Sequence, residues 1–255
     1  MRFSKWHALG NSYLVVERAD SGELTADRVR RLCDVERGIG SDGVLEVVEV
    51  VGFAADIVVW NPDGTTAEMS GNGTRIAASW LARRTSATEV TVRVGSRAVP
   101  ARLLAGDDVE TEVGPVEVGE RETLDVHGNP VELTTASVGN PHAVVLCEEP
   151  AREVLRRLGP LLETHQRFRD RTNVQLVRPD GPHDVRALVW ERGAGETAAS
   201  GSSAVAVAAV AIARGWCESP VTVHMPGGDL EVRLADGCAT LVGPANEICH
   251  GGTAL

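Results

Sequence analysis

The chain has 255 residues, 43% of them hydrophobic and 24% charged, with a formal net charge of −11. That length buries a sizeable core as one large domain or two ordinary ones, and the composition is that of a globular protein. The acidic balance, with no Lys/Arg cluster interleaved with aromatics, argues against nucleic-acid binding, and the longest apolar run, 204–213, is too short to span a bilayer.

In the first half, strand-like runs fall at 13–17, 44–51, 56–60, 90–94 and 98–104, with helical patterns at 25–33 and 71–84. The second half repeats the order. Strands are expected at 143–147, 173–177 and 184–190, helices at 151–162 and 201–214, then strands at 221–224, 228–234 and 239–242. A Gly114-Pro115 break separates the copies. It gives a first half of 1–114, on which the tail 246–255 is expected to pack, and a second half of 115–245. The late helices, GNGTRIAASWLARR and SAVAVAAVAIARG, are apolar on nearly every face and must be wrapped by their own domains. The expected fold class is α+β: two pseudo-symmetric halves, each a β-barrel-like sheet around a central buried helix, with an active site in the cleft between them.

The duplication is also visible residue by residue. Trp60-Asn61-Pro62-Asp63-Gly64 leads to Ser70-Gly71-Asn72-Gly73, and Trp190-Glu191-Arg192-Gly193-Ala194-Gly195 leads to Ser200-Gly201-Ser202-Ser203, 130 residues on; Gly10-Asn11 recurs as Gly139-Asn140. Each buried helix therefore starts with glycine and small polar residues, whose free N–H groups at a positive dipole end suit a carboxylate. Two readings of Ser70 and Ser200 stand. They are helix N-caps, or they are two hydroxyls flanking one bound carboxylate, able to move a proton at the attached carbon.

The N-terminus MRFSKWHALGNSY has no apolar signal-peptide core, which points to a cytoplasmic location. Cys33, Cys147, Cys217, Cys238 and Cys249 show neither a disulfide framework nor metal-ligand spacing, and the seven histidines build no metal site. No dinucleotide or P-loop glycine motif occurs. The reading is of no cofactor and no metal, with a small amino-acid-like carboxylate as substrate and neither nucleic acid nor membrane as partner.

NPDGTTAEMSGNGTR and ERGAGETAASGSSA resemble the two signature segments of the diaminopimelate epimerase family. WHALGNSY, ERGIGSDG, SVGNPHAVV, TNVQLV and MPGGDLEV are similar to its other landmarks, from Arg2 to the C-terminal region. The resemblance implies a cofactor-independent isomerase with a two-domain fold, acting in amino-acid metabolism, lysine biosynthesis included. It also implies that Asn11 and the N–H groups at Gly71-Asn72 and Gly201-Ser202 hold the reacting carboxylate and its amine, with Glu191 assisting. Asn61, Asn140, Asn173 and Arg192 would hold the far end of diaminopimelate, and His142 would lie beside the reacting centre. A homodimer is implied by the resemblance alone. One binding position departs, because the family often has Gln where this chain has Gly43.

The larger departure is at the acid/base pair, where the resemblance implies cysteine in the family at the positions of Ser70 and Ser200. A thiol titrates near ~8.5 and is readily brought to neutrality by a helix N-terminus. An alkyl hydroxyl lies several units higher, each worth about 1.4 kcal/mol, and needs a neighbouring base. Three readings follow. The chain moves an easier proton, one conjugated to an imine, as a double-bond isomerase or tautomerase of a modified amino acid, with Glu191, His142 or a hydroxyl relay as carrier. Divergent relatives act on such compounds in secondary metabolism, including alkylproline-type precursors. Alternatively it is a diaminopimelate epimerase with a natural or engineered serine pair, or a non-catalytic amino-acid-binding homologue.

Overall fold

In the computed structural model, which describes residues 1–255, β1 (Arg2–Ala8) turns tightly at Leu9-Gly10, both with positive φ, into β2 (Asn11–Glu17). A four-residue α1 (Arg18–Ser21) and α2 (Ala26–Cys33) lead to β3 (Val44–Val51), parallel to β2 and antiparallel to β4 (Ala54–Trp60). After β5 (Thr66–Ala67) come α3 (Gly71–Thr85), β6 (Glu89–Val94), β7 (Arg97–Leu103) and β8 (Asp108–Pro115). Of these, β6 runs parallel to β4 and is followed by antiparallel β7 and β8. The last strand of the chain, β18 (Asn246–Gly252), pairs with β1. These elements form one compact unit, 1–112 with 243–255.

The second unit, 113–242, repeats the pattern. Its elements are β9 (Glu117–Val126), β10 (Asn129–Ser137), β11 (Pro141–Leu146), α4 (Arg152–Glu163), β12 (Asn173–Pro179), β13 (Asp184–Glu191), β14 (Gly195–Thr197), α5 (Gly201–Ala213), β15 (Val221–Met225), β16 (Gly228–Ala235) and β17 (Cys238–Pro244). Register carries the duplication: Val44 faces Trp60 as Val174 faces Trp190, and Leu14 pairs with Val44 as Ala143 pairs with Val174. Likewise β9 flanks β10 as β18 flanks β1. The fold is mixed α+β, strand-rich with few helices.

Each late helix is surrounded by its own strands, as its sequence requires. Ile76, Ala77, Ala78 and Leu81 of α3 are buried with Val47, Ile57, Val59 and Val92. Around α5 lie β9, β10, β11, β12, β13, β15 and β16, and all of Ala204–Ala211 is buried. Small Ala and Val side chains let strands approach from all sides, each buried Val contributing about 1.5–3 kcal/mol. The strands missing from the sequence reading are β1, β8, β9, β10 and β18, with the short β5 and β14. In β9, EVGERETLDV, charged residues occupy an exposed face and obscure the alternation. Gly114-Pro115, read as a break, ends β8 with only Val116 before β9.

Two matched clamps link the sheets to the turns that follow them. Trp60 Nε1 donates to Glu46 Oε2 at 2.9 Å and Trp190 Nε1 to Glu163 Oε2 at 2.8 Å. Glu46, from β3, also accepts from Arg18; Glu163, from α4, also accepts from Arg171 and from the Gly193 N–H. Removing a buried acceptor strands all its donors. Glu163→Ala is therefore expected to lower stability by about 3 kcal/mol in urea unfolding, because it orphans the indole and the Gly193 N–H together. A loss below about 1 kcal/mol would show that Glu163 merely covers the turn.

Candidate active site

Ser70 caps α3, its Oγ accepting the Gly73 N–H at 3.0 Å. A side chain at position 73 would crowd Leu45 and Ser70, so glycine keeps this start tight. Helix geometry leaves the N–H groups of Gly71 and Asn72 without intrahelical acceptors. Asn72 Nδ2 donates to Asn11 Oδ1 at 3.2 Å, bringing Asn11, Ser70, Gly71 and Asn72 together at one helix start. Tyr13, which the sequence reading missed, lies here too, its buried phenol oxygen 3.0 Å from Ser70 Oγ. Gly43 makes room for that ring: a Cβ at 43 would stand 2.6 Å from Tyr13 Cε1 and 2.5 Å from the Trp60 carbonyl oxygen. Gly43 and Tyr13 are thus one packing arrangement.

The matching start of α5 uses its serine differently. Ser200 makes no side-chain cap; its hydroxyl donates to Glu191 Oε2 at 3.0 Å, and it is 3% exposed. Burial pushes the Glu191 carboxyl above the usual range, against the lowering effect of hydrogen bonds from Thr197 and Ser200. The turn carrying Glu191 is fixed by Gly193 N–H to Glu163, by Ala194 N–H to the Glu191 carbonyl, and by Arg192 N–H to Asn173 Oδ1 at 3.0 Å. Glu191, Ser200, Gly201 and Ser202 therefore gather at this second helix start. In the first unit the position matching Glu191 is Asn61, whose Nδ2 donates to Thr65 Oγ1 within its own turn.

The remaining candidates form the support of the second start. His142 is fully buried, and burial first, with the Arg192 charge adding, lowers it to about 3. Its Nδ1 lies 3.0 Å from Gln175 Nε2 and its Nε2 3.0 Å from Asn140 Oδ1. The imidazole is thus neutral with both ring nitrogens engaged, and it holds Asn140. Gln175, also missed, donates to Ser203 Oγ at 3.0 Å as well. Asn173 Nδ2 donates to the Pro141 carbonyl and Arg192 Nη1 to the Asp170 carbonyl, so both are tied into backbone. No group of three His, Cys, Asp or Glu side chains is arranged to hold a metal ion. A surface hollow of about 410 Å³ lined by Phe53, Thr91, Pro100, Arg102, Glu110 and Glu112 contains none of these residues.

Comparison with known proteins follows the same lines. The diaminopimelate epimerase family profile matches residues 3–118 and 134–246. A diaminopimelate epimerase from Synechococcus elongatus is 33% identical over 276 residues, covering 100% of this chain and 99% of its own. Diaminopimelate epimerase 2 from Nostoc is 37% identical over 256 residues, covering 92% and 89%. Among solved structures, a predicted epimerase from Pseudomonas aeruginosa has the same fold at TM-score 0.71 and 18% identity, covering 100% and 99%. A methylitaconate delta-isomerase has it at TM-score 0.64 and 15% identity, covering 100% and 98%.

The raised Glu191 carboxyl has a consequence for stability. Between the unfolded value near ~4.3 and the higher folded value, the folded chain holds the proton more tightly, so stability falls as pH rises through that window and stays lower above it. Glu191→Gln removes this loss while keeping an acceptor for Ser200. The variant should gain on the parent in Tm as pH rises above about 4.3. Melts across that range check it, and a constant difference would mean Glu191 ionises without penalty.

Proposed function

The chain belongs to the diaminopimelate epimerase family and is an isomerase of that superfamily, and from this premise we propose that it moves a proton at, or conjugated to, the carbon bearing the carboxylate of an amino-acid-like substrate, without a cofactor. In this reading both helix starts serve one substrate molecule. The carrying observation is the 3.0 Å hydrogen bond from Ser200 to the raised Glu191 carboxyl. Ser200 takes the C–H proton as its own passes to Glu191, which supplies the neighbouring base that a hydroxyl needs. The Tyr13–Ser70 hydroxyl pair returns a proton to the substrate, Ser70 Oγ being further polarised by the Gly73 N–H.

A carboxylate, even a raised one, is a weaker base than a thiolate, which favours a C–H made acidic by conjugation with C=N or C=C. Double-bond isomerisation of a modified amino acid, such as an alkylproline-type precursor, fits that limit. The methylitaconate isomerase, by its name, acts on an unsaturated acid with the same fold. Epimerisation of diaminopimelate is the second reading. It is favoured by 33–37% identity to diaminopimelate epimerases along nearly the whole chain, together with Asn61, Asn140, Asn173 and Arg192 at the expected positions.

Incubation of candidate unsaturated imino acids and of LL-diaminopimelate in deuterated water, read by mass spectrometry, tests both. Deuterium should enter one substrate class and survive prior dialysis against chelator; loss of exchange on dialysis would sink the cofactor-free reading. Glu191→Gln and Ser200→Ala should each slow exchange by roughly 10²–10⁴-fold. If diaminopimelate is the substrate, S70C combined with S200C should raise epimerase activity, and a folded double variant with no gain favours the conjugated substrate.

A further inference from the structure

Arg75 stands one turn into α3 and is fully buried, at 0% exposure. No carboxylate forms an ion pair or hydrogen bond with it, although the charge of Asp108 is felt there. Its Nη2 donates to Asn72 Oδ1 at 2.7 Å, its Nη1 reaches the Gly71 carbonyl oxygen at 3.5 Å, and its Nε has no partner. Burial lowers it to about 10, opposed by the charge of Asp108, so it is cationic at neutral pH. A lone guanidinium in a dry interior is among the most costly groups a core can hold. The matching position of α5 is the buried Val205, so the scaffold itself does not require a cation there.

The hydrogen bonds run in one direction from that cation. Arginine has donors only, so Asn72 must turn its Oδ1 to it. Asn72 Nδ2 then faces Asn11, which must answer with Oδ1. That leaves the Asn11 Nδ2 hydrogens free to point elsewhere, as donors. With the unpaired N–H groups of Gly71 and Asn72, the start of α3 offers donors beside a fixed positive charge.

We infer that Arg75 is a positioning residue that locks Asn72 and Asn11 into donor-presenting orientation and makes the start of α3 select a carboxylate over its neutral analogues. The inference rests on the proposed function only in taking the bound anion to be the substrate's carboxylate. Cyclopentene-1-carboxylate, whose carboxylate sits on a planar carbon, and its amide are the probes, followed by thermal shift and by NMR of the Asn11, Gly71 and Asn72 amides in the full chain. The parent should show a saturable response to the carboxylate and none to the amide. Arg75→Met should melt at or above the parent without ligand, because an unpaired buried charge is gone, yet lose the carboxylate response at least about tenfold. Arg75→Lys should recover part of it. Asn72→Asp, which hands Arg75 a counter-charge, should raise Tm and abolish carboxylate binding.

A parent that does not distinguish acid from amide overturns the inference. So does an Arg75→Met variant that melts well below the parent or keeps the preference, and should that variant not fold, full carboxylate binding by Asn72→Asp does the same. None of these measurements needs turnover. A carboxylate preference that depends on Arg75 in a protein showing no proton exchange would sink the proposed function and leave this inference standing.

Discussion

Each central helix is hydrophobic on nearly every side, and that property governs where its polar start can stand. Ala204–Ala211 has no face that water would favour, so the strands close over it from all directions. The N–H groups at the start of such a helix cannot be satisfied within it. They have to emerge where the surrounding strands end, which is where β13 delivers Glu191 and β2 delivers Asn11 and Tyr13. The location of the polar groups is thus a by-product of how the core is built.

The two units keep the backbone and change the chemistry. Strand pairings recur 129 or 130 residues apart, while side chains at the helix starts diverge: Tyr13 against His142, Leu45 against Gln175, Asn61 against Glu191, Arg75 against Val205. One serine is therefore a true cap with a phenol beside it, and the other is no cap and leans on a carboxyl group. A duplicated scaffold has become a pair of chemically unlike helix starts.

Three groups at these ends are held in states that stability alone would not select. Burial raises the Glu191 carboxyl, His142 is kept neutral, and Arg75 is a buried cation whose Nε has no hydrogen-bond partner. Elsewhere the buried charges are paired or hydrogen-bonded, as Glu46 and Glu163 are. Concentrating locally unfavourable groups at two helix starts is what a functional site does to an otherwise consistent fold.

The amino-acid sequence by itself determined the duplication, the two wrapped helices and most of the strands, because hydrophobic period and repeated strings are local and survive in one dimension. It missed β9 and β10, where one solvated face masks the alternation, and it treated Ser70 and Ser200 as equivalent. Only the tertiary structure decided which side chains meet. Tyr13 reaches Ser70 across 57 residues, Gln175 reaches His142 across 33, and Gly43 matters only because a phenol ring occupies the space its side chain would fill. Hydrogen bonds and close contacts of that kind depend on strand order and register, and no spacing along the chain encodes them.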